Sequence, residues 1–137
     1  MGIEIKITDN IPQVKGKISE VAKNRMMEAV NTVRNTTLET LSGTRSGRQY
    51  YVPGTHKVYT ASAPGEPPAV ATGRLRQSVK GSVETENGTL VGYVGTDLEY
   101  GKELEYGRYN MEPRPWLRPS FERSEQEVKE IFSREWL

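Results

Sequence analysis

Acid, base and nucleophilic chemistry need particular side chains at particular spacings, and this sequence offers few of them. It contains no cysteine and a single histidine, His56, which excludes disulfides, thiolate nucleophiles, Cys-based metal sites and most His-rich ones. His56 stands in a turn-like stretch beside Gly54 and Lys57, with no Gly-x-Ser-x-Gly elbow anywhere to supply a nucleophile. It is read as structural or solvent-facing. Asp97 with Glu99, and Glu103 with Glu105, are carboxylate pairs, but residues two apart on a helix point to different sides. Ser42 to Arg48 is glycine-rich like a phosphate loop, yet lacks Gly-Lys-Ser/Thr and an apolar strand before it. No enzyme is expected, and no cofactor or metal.

The remaining chemistry is that of contact. Over 137 residues, 19 Lys and Arg nearly balance 18 Asp and Glu, but the charges are segregated. From Gly43 to Ser82, Arg45, Arg48, Lys57, Arg74, Arg76 and Lys80 stand against the lone acid Glu66, six minus one or +5. From Val83 onward twelve acids meet seven bases, giving −5. Such segregation suits a polyanion or the acidic face of a neighbouring copy, although solvated loops also carry Arg and Lys. Arg45, Arg48, Lys57 and Lys80 are the candidates to face DNA. Tyr50, Tyr51 and Tyr59 lie among Arg45, Arg48 and Lys57, the mixture of stacking faces and cations found in single-strand binders. Tyrosines that cover a sheet edge give the same pattern. A small nucleic-acid-binding module using the basic 43–82 region is therefore the alternative reading.

These residues must be held by a chain of single-domain length, read as one domain over 1–137. Ile3, Ile5 and Ile7 alternate with Glu4 and Lys6, predicting an opening strand with one buried face. Val14, Ile18, Val21, Ala22, Met26, Ala29, Val33 and Leu41 recur at helical spacing, predicting a long helix from Pro12 to Leu41. Its Asn- and Thr-rich second half needs packing to hold it. Gln49 to Val52 and Lys57 to Thr60 read as a short hairpin. Ala61 to Ala71 carries three prolines among small residues, which forbids a helix or a central strand. The 52–72 segment is read as an extended Pro/Gly-rich arm ordered by a partner.

Thr72 caps a short helix through Gln77, and Ser78 to Glu86 alternates as a strand up to the hairpin signal Asn87-Gly88. Leu90 to Val94 returns beside it. Asp97 caps a helix over Leu98 to Tyr106, ended by Gly107. Arg108 to Met111 reads as a brief edge strand, and a final amphipathic helix begins at Pro119, with Glu125–Lys129 and Glu130–Arg134 at i,i+4 spacing. The expected class is α+β: an antiparallel sheet of about four strands against a long N-terminal helix and a C-terminal helix, with a long Pro-rich loop. No apolar run reaches the ~20 residues of a membrane span, so no membrane partner is expected and the chain reads as soluble.

Three stretches together resemble the small neck and tail-completion proteins of long-tailed bacteriophages, the gene-product-ten-like minor tail components. They are Ala61-Ser62-Ala63-Pro64-Gly65-Glu66-Pro67-Pro68-Ala69-Val70-Ala71-Thr72-Gly73-Arg74-Leu75-Arg76-Gln77-Ser78, then Val94-Gly95-Thr96-Asp97-Leu98-Glu99-Tyr100-Gly101-Lys102-Glu103-Leu104-Glu105-Tyr106-Gly107, and Met111-Glu112-Pro113-Arg114-Pro115-Trp116-Leu117-Arg118-Pro119-Ser120-Phe121. Ala71, Gly101 and Glu112 depart from the pattern, which has Asp, Ala and a small residue there. The resemblance implies a non-enzymatic virion component of the tail and neck region, assembled in the host cytoplasm. It implies a homo-oligomeric, hexameric ring that meets other neck and tail proteins (stopper or connector, tail terminator, tail tube) and surrounds the genomic DNA. On this reading Pro64, Gly65, Glu66, Pro67, Pro68, Arg74, Arg76, Arg114, Trp116 and Arg118 are expected at subunit contacts, with Trp116, Tyr100 and Tyr106 anchoring the core or those contacts.

Overall fold

A computed structural model describes residues 2–7, 17–43, 45–63, 66–69, 73–86 and 89–134. The alternating isoleucines lie in β1 (Gly2–Ile7), and the helical repeat in α1 (Lys17–Thr40). Two short strands follow, β2 (Gln49–Tyr51) and β3 (Val58–Thr60), then α2 (Arg74–Ser78), β4 (Lys80–Glu86), β5 (Thr89–Gly95), α3 (Glu99–Tyr106) and α4 (Arg118–Ser133). The class is α+β. The expected single sheet of about four strands is corrected to two antiparallel sheets: a three-stranded one in the order β1-β5-β4, and the separate β2-β3 ribbon. β2 and β3, three residues each, pair with each other and with no strand of the main sheet among the described residues.

Register decides which face of the main sheet is buried. Gly92 of β5 pairs with Ile5 of β1 and Val83 of β4, and Val94 pairs with Ile3 and Gly81. Alternation then puts Leu90, Gly92 and Val94 on the inner face. Glycine is needed here for close approach: a Cβ at Gly92 would stand 2.7 Å from both Met26 Sδ and Val30 Cγ2, and one at Gly81 2.5 Å from Val30 Cγ1. The α1 helix therefore lies almost on the strands. Its buried stripe of Ala22, Met26, Ala29, Val30, Val33 and Thr37 packs against the sheet and α4, joining Leu75, Trp116, Val128 and Ile131 in the hydrophobic cluster.

This packing holds the weakly helical second half of α1. There the Thr37 and Thr40 hydroxyls turn back to the carbonyls of Val33 and Thr36, a local bond that keeps a buried hydroxyl satisfied. The start of the expected helix, residues 12–16, lies outside the described residues, as do Thr72 and the Asn87-Gly88 turn.

Smaller expectations need correction. Ser78 closes α2 rather than opening β4, because its hydroxyl bonds the Leu75 carbonyl one turn back. Arg108 and Met111 bridge only to each other, closing a turn instead of forming an edge strand. Asp97 does not cap α3; it is exposed and pairs with Lys80 at 3.3 Å. The Glu125–Lys129 pair forms at 3.6 Å, whereas Arg134 turns to Glu28 of α1 at 2.9 Å. No helix of the described residues is long and apolar enough to cross a membrane.

Candidate subunit-interface surface

The three family-like stretches meet inside the molecule, around Gly101. A Cβ there would stand 2.9 Å from Thr96 Cγ2 of its own stretch, 3.1 Å from Leu75 Cδ1 of the first and 3.3 Å from Trp116 Cζ2 of the third. The Gly101 carbonyl accepts the indole N–H of Trp116 at 2.8 Å, and the hydroxyls of Ser78 and Thr96 lie 2.6 Å apart. Beside this cluster Glu105 turns inward from α3 and accepts the backbone N–H groups of Trp116, Leu117 and Arg118 at 3.0, 2.7 and 3.3 Å. Those are orphan donors at the start of α4, whose flanking residue Leu117 supplies no side-chain cap. A carboxylate from another helix thus caps α4 and complements its dipole. Glu103, two residues before Glu105, points elsewhere and pairs with Arg108 at 3.2 Å.

Of the two roles expected of Trp116, core anchor or subunit contact, its burial fits the first: it is fully buried within its own chain, between Gly101 and α4. What its segment does for the surface is indirect. Arg114, two residues earlier, reaches the other way and donates to the Ser62 carbonyl at 2.6 Å and hydroxyl at 2.7 Å.

That contact belongs to a polar clasp on the Pro-rich segment. Arg45 donates to the carbonyls of Pro67 at 2.6 Å, Pro68 at 3.1 Å and Thr40 at 2.5 Å. Glu66 accepts from the backbone N–H of Ala63 at 2.7 Å and from both the N–H and the hydroxyl of Ser46. Those bonds hold its carboxyl below the ordinary range, backbone donation by Ala63 first, with the charge of Arg45 adding to them. Burial pulls the Arg45 guanidinium below its usual range, opposed by the charge of Glu66.

Three carbonyls of its own subunit take up the donors of Arg45. The reading of 52–72 as an extended arm needs correction over 61–63 and 66–69, where Ser62 and Pro68 are buried and the backbone is tied to its own subunit, while 53–58 is exposed. Proline removes backbone donors but leaves carbonyls, and arginine donors from the body satisfy them. Pro64 and Gly65 lie outside the described residues.

The part that projects is the β2–β3 ribbon, rooted where Gly47 N–H bonds the Ala61 carbonyl and Ala61 N–H bonds the Arg48 carbonyl. Pairing of Gln49 with Thr60, Tyr50 with Tyr59 and Tyr51 with Val58 sets its two faces. One face carries Tyr50 beside Tyr59, ring centroids 6.1 Å apart, with Arg48 and Lys57 on the same side by alternation. The other carries Tyr51 and Val58, 68% and 55% exposed. No other element packs extensively on it. His56 is exposed at its tip.

Of the remaining arginines, Arg74 and Arg118 are exposed, while Arg76 is half-buried and bonds the Ser42 hydroxyl at 3.2 Å. Arg48 and Lys57 are exposed, and Lys80 is occupied by Asp97. Tyr100 sits at the rim of the core with its phenol pushed up by burial, opposed by Arg74, and Tyr106 is exposed.

Sequence reasoning missed a second surface, the outer face of the main sheet. Ser82, Tyr93 and Glu4 pair across the three strands, with Glu84 and Glu86 further along β4. The phenol of Tyr93 donates to Glu86, and this bond, with the charges of Glu86, Glu4 and Glu84, pushes its pKa to about 12. The signal was present in Lys80 to Glu86, whose alternation puts Ser82, Glu84 and Glu86 on the side opposite Val83. Comparison with protein-family models, curated proteins and solved structures finds no match to this chain.

Proposed function

We propose that this chain is a structural virion protein of the phage head–tail junction, assembling as a homo-oligomeric ring that completes the tail and surrounds the DNA passage. One observation carries the reading beyond the motifs themselves: a two-stranded ribbon with Tyr50, Tyr51 and Val58 exposed is held out from the body on a fixed polar clasp. An isolated two-stranded hairpin is marginal in water, and a tyrosine-rich surface without a core of its own is suited to burial by another chain. Arg118, exposed beside the junction of the three motif stretches, is a cation placed for an inter-subunit pair or for the channel. Stopper or connector, terminator and tube proteins are the neighbours this role requires.

Electron-microscope class averages and sedimentation of the purified chain test it. Closed rings with one rotational symmetry are expected. A monomer that persists at every concentration reached would overturn it.

The nucleic-acid alternative draws on the cations Arg48 and Lys57 flanking the Tyr50–Tyr59 pair. It requires affinity for single-stranded DNA that falls steeply with salt, with a log–log slope reflecting several phosphate contacts. A flat salt response removes it.

A further inference from the structure

The three-stranded sheet ends on one side in β4, and no strand pairs with the far side of β4 among the described residues. From Lys80 to Glu86 every residue is exposed except the central Val83, which is half-buried. Such an edge offers a row of backbone donors and acceptors to a strand laid beside it. An edge guarded by charges of one sign repels a second copy, but here the signs are opposed, Lys80 opening the strand and Glu86 closing it. Both share the side of the sheet that carries Ser82 and Glu84, while Gly81, Val83 and Thr85 share the α1 side.

We infer that β4 pairs antiparallel with β4 of a second copy of this chain, about a two-fold axis through Val83. That register pairs all seven residues. It sets Lys80 opposite Glu86 at both ends, Ser82 opposite Glu84, Gly81 opposite Thr85 and Val83 opposite itself. An axis through Glu84 would set that carboxylate against its own copy and take Lys80 out of the pairing, and an axis through Ser82 would pair only residues 80–84. Lys80 is free to turn, because its pair with Asp97 joins two largely exposed side chains and contributes little. Glu86 accepts the Tyr93 phenol on Oε1, leaving Oε2 to take Lys80 of the second copy.

A second observation lies on α1, which packs across β5 and β4. Arg34 bonds the Val79 carbonyl at 3.2 Å, so its side of the helix borders the β4 edge. Met27, seven residues earlier, shares that side and is 48% exposed. It stands at the level of the axis, because Gly92, the partner of Val83, meets Met26 and Val30. With strands ~4.8 Å apart, the pairing brings the two α1 helices to about 10 Å, the spacing of packed helices, and Met27 against its copy. One contact thus accounts for the open edge, its opposed charges and the exposed methionine. It is isologous, joining two copies into a six-stranded sheet without closing a ring. It therefore goes beyond the ring reading and does not rest on it.

The chain has no cysteine, so single-cysteine variants of the full chain report the contact directly. Residues directly opposite in an antiparallel pair have Cα atoms about 4.5–5.5 Å apart, within disulfide reach. Mild oxidation should join Val83→Cys and Met27→Cys into dimers, and should leave Glu125→Cys, exposed on α4, unlinked. In sedimentation, Lys80→Glu and Glu86→Lys should each raise the dimer dissociation constant by about tenfold. The two substitutions together should restore it, since the strand ends then match with their signs exchanged. Melting near wild type by circular dichroism establishes that each variant is folded.

Val83→Cys that stays unlinked, or links no faster than Glu125→Cys, would overturn the contact, as would a double variant no tighter than the single ones. Rings that form without the Val83 cross-link would overturn this contact and leave the ring reading standing. Cross-linked dimers from a chain that forms no ring would do the reverse.

Discussion

Replacing Glu105 with alanine should destabilise the protein by about 3 kcal/mol, the cost of leaving the buried start of α4 without its acceptors. The carboxylate takes three backbone donors, two on Oε1 at 3.0 and 2.7 Å and one on Oε2 at 3.3 Å, and the residue is 8% exposed. An unsatisfied buried donor costs about 1–3 kcal/mol, but neighbouring losses are not additive and water can enter the space left by the side chain. Two well-formed bonds and one long one therefore place the total near the top of that scale rather than at its sum. Glutamine separates acceptor from charge: with its oxygen at the Oε1 position it keeps the bonds to Trp116 and Leu117 and should lose only about 1 kcal/mol. Urea unfolding followed by far-UV circular dichroism measures both variants. For a chain of this size the alanine variant should also melt lower by about 10 °C. An alanine variant within about 1 kcal/mol of wild type would refute the reasoning, because the N-terminal donors of α4 would then have found other partners.

Other outcomes follow from neighbouring geometry. Gly101→Ala gains about 1 kcal/mol of helix propensity but drives a methyl against Thr96, Leu75 and Trp116, so calorimetry should find a net loss of about 1–2 kcal/mol; a higher melting temperature would show that the three segments can move apart. Glu66 has a depressed carboxyl pKa in the folded chain, so its contribution is full above its ordinary value of 4.5 and is lost as pH falls through the lower folded value. Hydrogen exchange at the Ala63 and Ser46 amides should accelerate across that acid range, and Glu66→Gln should remove the pH dependence. The Tyr93 phenol should ionise near pH 12 by ultraviolet titration and nearer the ordinary 10 in Glu86→Gln; an unmoved titration would mean that the Glu86 bond is not its main cause.

Much of the architecture was legible because it rests on periodicity. The period-two isoleucines of β1 share one side of the sheet by register and the helical stripe of α1 buries one face, and a one-sided face writes a repeat into the sequence. The bonds that shape the candidate surface leave no such repeat. Arg45 meets Pro67 and Pro68 across 22 and 23 positions, and Arg114 meets Ser62 across 52, so neither spacing is distinguishable from chance in one sequence. Glu105 was legible only as pointing to a different side from Glu103, because cross-helix capping depends on where α4 begins in space. The prolines of 61–71 correctly excluded helix and central strand, but the reading of them as an unpacked arm did not count the carbonyls they retain. The hairpin at 49–60 was visible as two β-prone runs; its separation from the main sheet was not, since alternation says which residues share a face and not which sheet they join.

The contact of three side chains around Gly101 also bears on how sequences of this kind can diverge. Leu75, Thr96 and Trp116 come from separate stretches, yet they bound one small volume that has no room for a methyl group. Drift at any of these positions is therefore expected to be correlated: a chain with alanine at 101 should carry a slimmer or rotated neighbour at 75 or 96. An alignment of such chains would display that compensation as covariation between segments far apart in sequence, independent of whatever selection acts on the outer surfaces.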